Sequence, residues 1–206
     1  MTDAPPRKVY KVKAIFHTLQ GEGFHSGKAA TFVRFTGCNL WSGLEEHRSK
    51  AVCQFCDTDF VGGATVTLEQ IVDECCKTPG MVVFTGGEPA LQLDNELVRA
   101  LQKRNKYVAI ETNGTMTVPG ALDWVCVSPK AGSDVVVREA DELKLVYPQD
   151  GMTPDRARAI VHAKHLWLSP MDGPSLIRNM QAAVTFAKMD TRWRVNIQTH
   201  KILGID

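Results

Sequence analysis

The chain has 206 residues, with 24 lysines and arginines against 23 aspartates and glutamates, for a net charge of +1. That length suits one domain with a substantial core, and the even charge balance removes any electrostatic argument for a nucleic-acid or anionic-membrane partner. Hydrophobic residues make up 44% of the chain, yet no apolar run reaches the ~18 residues a membrane span needs. Residues 1–8 hold no apolar stretch either, so the sequence predicts a cytoplasmic protein with no membrane partner.

After a tip expected to be disordered, residues 9–16 alternate as a strand and run into His17-Thr18-Leu19-Gln20-Gly21-Glu22-Gly23, where two glycines bracket a carboxylate. That pattern fits a hairpin turn or a loop letting backbone approach a ligand. Residues 30–35 form an apolar strand containing Arg34, which must find an acid or a ligand. Residues 39–52 are polar enough for an exposed insertion, and Asp57-Thr58-Asp59 offers the oxygen donors a hard cation prefers. Thr67, with Gln70 three positions on, starts a capped helix ending near Pro79-Gly80. A buried strand at 81–84 then feeds Thr85-Gly86-Gly87-Glu88-Pro89 and a helix over 94–105.

The same rhythm recurs as strand 107–110 into Glu111-Thr112-Asn113-Gly114, and as strand 124–127 into Ser128-Pro129-Lys130. Strand 143–147 precedes a helix over 154–163, and strand 165–168 empties into Ser169-Pro170-Met171-Asp172 before a helix over 174–189. The last segment, 193–201, reads as a strand ending in polar groups. Strand, polar turn and helix in alternation predict an α/β fold with a parallel sheet. Ligands bind at the carboxyl ends of parallel strands, so these polar clusters should share one mouth. The chain is short for eight barrel units, and the expected architecture is a partial (β/α) barrel of about six parallel strands with few helices, spanning 1–206 as one domain.

Cys38 is separated by fourteen residues from the Cys53-Gln54-Phe55-Cys56 pair. Six cysteines in a cytosolic chain suggest metal binding or catalysis over disulfides. Three thiolates on a 4Fe-4S cluster would leave one iron open for a ligand, whereas His47 could complete a closed zinc tetrahedron, and small core residues are a third reading. Cys75, Cys76 and Cys126 lie in apolar patterns and read as structural.

Leu19-Gln20-Gly21-Glu22-Gly23, Phe32-Val33-Arg34-Phe35, Gly37-Cys38-Asn39, Cys53-x2-Cys56-Asp57-Thr58, Thr85-Gly86-Gly87-Glu88-Pro89, Glu111-Thr112-Asn113-Gly114, Ser128-Pro129-Lys130 and Gln198-Thr199-His200-Lys201 together resemble the radical S-adenosylmethionine enzymes, and within them the 7-carboxy-7-deazaguanine synthases. The usual superfamily gap between the first two cysteines is three residues; the insertion at 39–52 resembles that of a subgroup of the synthases. Ser169 stands where the family often has Gln.

The resemblance implies a 4Fe-4S cluster on Cys38, Cys53 and Cys56, with S-adenosylmethionine held by Phe55, Cys56, Asp57, Gly87, Ser128, Pro129 and Lys130. It implies Mg2+ on Thr58, and substrate contacts from Leu19, Gln20, Gly21, Arg34, Thr85, Ser169, Pro170, Met171, Asp172 and Asp206. Glu22 and His200 become the proton carriers of the catalytic set. The implied reaction is radical-mediated ring contraction of 6-carboxy-5,6,7,8-tetrahydropterin to 7-carboxy-7-deazaguanine with loss of ammonia, in queuosine-precursor synthesis. An external electron donor such as a flavodoxin and a homodimeric state complete the expectation. A glycyl-radical activase of the same superfamily and a non-catalytic zinc module are the alternatives.

Overall fold

The computed structural model describes residues 7–205, so the tip at residues 1–6 and the terminal Asp206 lie outside the described residues. In chain order the strands are β1 (Val9–Leu19), β2 (Ala29–Phe35), β3 (Ala64–Thr67), β4 (Met81–Gly86), β5 (Val108–Thr112), β6 (Trp124–Val127), β7 (Glu139–Tyr147), β8 (His162–Pro170) and β9 (Trp193–Val195). They form one sheet in the order β3-β1-β2-β4-β5-β6-β7-β8-β9. From β2 to β9 every neighbouring pair is parallel, and β1 and β3 add an antiparallel flank.

The period of two divides each strand between two environments. Val33, Phe35, Val82, Phe84, Val108 and Ile110 face outward and are covered by α1 (Leu68–Cys76) and α2 (Asn95–Gln102), through Ile71, Val72, Cys75, Leu97, Val98 and Leu101. Leu143, Leu145, Leu166 and Leu168 pack in the same way under α3 (Pro154–Ile160) and α4 (Leu176–Met189), through Ala157 and Ala183. Arg34, Thr85, Glu111, Lys144 and Ser169 face a cavity on the inner side. α-Helices lie between β2 and β4, β4 and β5, β7 and β8, and β8 and β9, but none separates β5, β6 and β7, which matches the expected shortage of helices.

Contacts between the sheet's two ends curl it on itself. Gly23 N, just past β1, donates to Asn196 Oδ1, just past β9, at 2.8 Å, and Thr199 N donates to Gly21 O at 3.0 Å. A flat nine-stranded sheet could not bring those segments together, so the contacts make it a partial barrel closed on one side by the chain's end.

The Thr67 hydroxyl accepts from Gln70 N at 3.3 Å while Gln70 Oε1 accepts from Thr67 N at 2.8 Å, the expected capping box. Several boundaries differ. β1 extends through His17-Thr18-Leu19, so the ligand-facing turn begins at Gln20. β3 was not expected; it pairs with the start of β1 at the sheet's edge. The final segment is a strand only over Trp193–Val195 and then becomes α5 (Thr199–Leu203), because the chain must leave the sheet to reach the β1–β2 turn. Within the 39–52 insertion, Glu45–Lys50 is a 3-10 helix. Among the described residues no helix is long and apolar enough to cross a membrane.

Candidate active site

The carboxyl ends of the parallel strands, together with the insertion, enclose a cavity of about 400 Å³, within the range for small-molecule sites. Leu19, Gln20, Gly21 and Glu22 reach it from the end of β1, and Arg34 and Cys38 from β2 and the loop after it. Thr85 and Gly87 come from β4 and its turn, Ser128 and Lys130 from the end of β6, and Ser169, Pro170, Met171 and Asp172 from β8. Cys53, Phe55, Cys56, Asp57 and Thr58 close one wall, and His200 of α5 closes another.

Among the described residues one expected position is not on the wall. Pro129 is buried behind it, its carbonyl accepting from Gln149 Nε2 at 3.5 Å, and Asp206 lies outside the described residues. Asp59, an oxygen donor in the Asp57-Thr58-Asp59 run, turns away to pair with Lys13 at 2.8 Å.

The three cysteine thiols border this one cavity. Cys53 and Cys56 share a hydrogen bond that lowers the Cys56 pKa and raises that of Cys53. Burial raises Cys38, whose sulfur accepts from Leu40 N at 3.4 Å. Among the described residues no three His, Cys, Asp or Glu side chains converge closely enough to hold one metal ion. A zinc tetrahedron with Zn–S bonds of about 2.3 Å would bring its sulfurs within roughly 3.8 Å of one another. His47 is also committed elsewhere, its Nδ1 lying 2.8 Å from Ser42 Oγ and its Nε2 3.6 Å from Glu46. Three thiols around a roomy cavity, with His47 bonded elsewhere, are a donor set that fits an iron-sulfur cluster with one open corner.

The insertion is braced from outside. Arg48 stacks its guanidinium 4.2 Å from the Trp41 ring and donates to the carbonyls of Gln54 and Cys56 at 2.9 and 3.0 Å. The Gly-Gly-Glu-Pro turn fixes the cysteine loop from below. Glu88 is fully buried and accepts from Thr112 Oγ1 at 2.7 Å, Asn113 N at 2.7 Å and Ala90 N at 2.9 Å, while its own N donates to Gly37 O at 2.9 Å. Burial raises its pKa against those bonds. A Cβ on Gly87 would sit 2.2 Å from Gly37 O and 2.7 Å from Cys38 Cβ, so only glycine lets the two loops meet here.

Among the described residues Arg34 forms no ion pair; its charge acts on Asp59, but that carboxylate pairs with Lys13. The Arg34 Nε is buried without a partner, and the guanidinium carbon lies 5.3 Å from the Phe16 ring centroid, on the cavity wall. A guanidinium left so is complementary to a ligand carboxylate. Lys130 donates to Ser128 O and Oγ at 2.6 and 2.7 Å, and burial lowers its pKa.

Lys144 and Glu111 also line the cavity, and the sequence alone assigns them no role. Lys144 Nζ lies 2.6 Å from Glu22 Oε2 and 2.7 Å from Glu111 Oε2. Burial alone would raise Glu22, but the Lys144 ammonium and the Gln198 amide outweigh it and bring Glu22 to about 2. Nearby, burial and the Glu111 carboxylate push Glu142 up to about 7. Only the cross-strand register brings these groups together, and no spacing in the sequence signals it. Of the three cysteines read as structural, Cys75 and Cys126 are buried and Cys76 is partly so.

No family model matches the chain. The 7-carboxy-7-deazaguanine synthase of Caulobacter vibrioides is 50% identical to it, over 95% of this chain and 99% of the relative. That of Bordetella pertussis is 47% identical and that of Bacteroides thetaiotaomicron 38%, each over 95% of this chain and at least 98% of the relative. The crystal structure of QueE from Escherichia coli, at 23% identity, shares the fold with a TM-score of 0.71 over 91% of this chain and 93% of that one. Near-full-length identity at this level joins the fold and the site, and the chain belongs to the 7-carboxy-7-deazaguanine synthase family.

Proposed function

We propose that the chain is a cytoplasmic radical S-adenosylmethionine lyase that contracts 6-carboxy-5,6,7,8-tetrahydropterin to 7-carboxy-7-deazaguanine with loss of ammonia, a step toward queuosine. The observation that carries this reading is that Cys38, Cys53, Cys56 and Arg34, whose Nε is buried without a partner, border the same cavity. The names of the relatives support it. They do not favour a glycyl-radical activase or a zinc module.

In this reading Cys38, Cys53 and Cys56 hold a 4Fe-4S cluster, and Phe55, Asp57, Gly87, Ser128 and Lys130 hold S-adenosylmethionine beside it. Together these groups supply the low-potential one-electron cleavage from which the radical rearrangement starts. The chain's own residues position the pterin. Arg34 pairs with its carboxylate, and Leu19, Gln20, Gly21, Thr85 and Ser169 to Asp172 surround the ring. Thr58, whose hydroxyl bonds Cys56, offers an oxygen for Mg2+. Glu22, held ionised by Lys144, is a weak base and a poor donor at neutral pH, so it carries a proton only if the substrate displaces that pairing, and His200 is the second proton carrier. An external electron donor such as a flavodoxin and a homodimeric assembly belong to the same proposal.

The test is anaerobic reconstitution with iron, sulfide and S-adenosylmethionine, followed by the carboxylated tetrahydropterin and a low-potential reductant. Release of ammonia with the deazapurine product is expected. Cofactor cleavage without consumption of the pterin would instead point to another member of the superfamily.

A further inference from the structure

The cavity floor holds two carboxylates and one ammonium drawn from three separated segments. Glu111 comes from β5, Lys144 from β7 two strands away, and Glu22 from the turn after β1. The Lys144 side chain is 11% exposed, and its Nζ bridges Glu22 at 2.6 Å and Glu111 at 2.7 Å. Each carboxylate keeps a second donor: Gln198 Nε2 at 2.8 Å from Glu22 Oε1, and Gln20 Nε2 at 3.2 Å from Glu111 Oε1. All three ionic groups border the cavity.

Two partly buried carboxylates, each within 2.7 Å of the same Nζ, repel, and without a cation between them one would take up a proton. A protonated carboxyl loses an acceptor. We propose that Lys144 is a positioning residue that keeps Glu22 and Glu111 side by side as acceptors, so that the floor selects a heterocycle presenting a donor edge of ring N–H and amino groups. The inference rests on the pterin reading, since the amino-pyrimidinone ring of a pterin presents such an edge while its carboxylate goes to Arg34. Lys144 acts on the substrate only through the carboxylates it holds.

Other titratable groups face this cluster: Glu142 on β7, Cys126 on β6, His200 on α5, Lys130 after β6, and His25 in the turn after β1. Glu142 titrates near neutrality, so the test uses a Glu142→Gln background to remove it. The other groups are common to every variant, and profiles are read as differences.

Binding of the oxidised analogue 6-carboxypterin to the full chain is measured by calorimetry from about pH 6 to about pH 8. With Lys144 present, affinity stays level as far as Glu22 is concerned. Adding Lys144→Met weakens binding roughly thirtyfold at the acid end, and the loss shrinks as pH rises and the shared proton leaves. Lys144→Arg restores the level profile. Lys144→Gln deletes the charge while keeping a donor, and it replaces Met if the Met variant does not fold. A folded charge-deleted variant that keeps the profile of its parent overturns the inference and leaves the proposed function standing. Absence of pterin binding by the unsubstituted chain overturns both.

Discussion

The two faces of one sheet obey opposite rules. On β2, Val33 and Phe35 point outward and are fully buried under helices, whereas Arg34 between them points inward with a buried, unpartnered Nε. On β7, Leu143 and Leu145 are fully buried outward while Lys144 between them carries the charge of the cavity floor. A single residue of strand register therefore separates groups that hold the fold together from groups placed for a ligand. The outer face gains stability by excluding water from hydrocarbon. The inner face packs Ala30, Met81, Val83 and Ala109 together near the start of the strands and carries its charged groups further along, where they line the cavity.

Substitutions on each face should separate these roles. The largest effect on stability is expected from Phe84→Ala on the outer face, where a fully buried ring stacks 5.5 Å from that of Phe35. It should cost about 3–5 kcal/mol in denaturant unfolding. A cost below 1 kcal/mol would mean the outer packing is not what holds the sheet. Arg34→Ala should act the other way round, weakening pterin binding by ~2–5 kcal/mol with little loss of melting temperature, because among the described residues its Nε has no partner and it forms no ion pair. Equal losses of stability and affinity would blur the distinction between the faces.

What the sequence revealed follows the same divide. The Thr67 and Gln70 capping box and the strand at Trp124–Val127 were legible because three or four neighbouring residues decide them. So were the polar clusters at strand ends, since a parallel sheet turns them toward one mouth. Glu111 and Lys144 were not recognised as a pair. They lie thirty-three positions apart, and only the register through β6 brings them within 2.7 Å. The tail misled for a related reason. The β-branched and aromatic run around Trp193 and Val195 favours a strand, but the hydrogen bonds of Asn196 and Thr199 to the β1–β2 turn pull the following residues into α5.

The account depends most on the three thiols forming one cluster site with an open iron corner, and the reduced, anaerobically reconstituted protein tests that directly. About four irons per chain, with an electron paramagnetic resonance signal that shifts when S-adenosylmethionine is added and is lost in Cys53→Ala, is the predicted result. Retention of zinc with no iron-sulfur signal, or an iron signal unchanged by the cofactor and by Cys53→Ala, would contradict it.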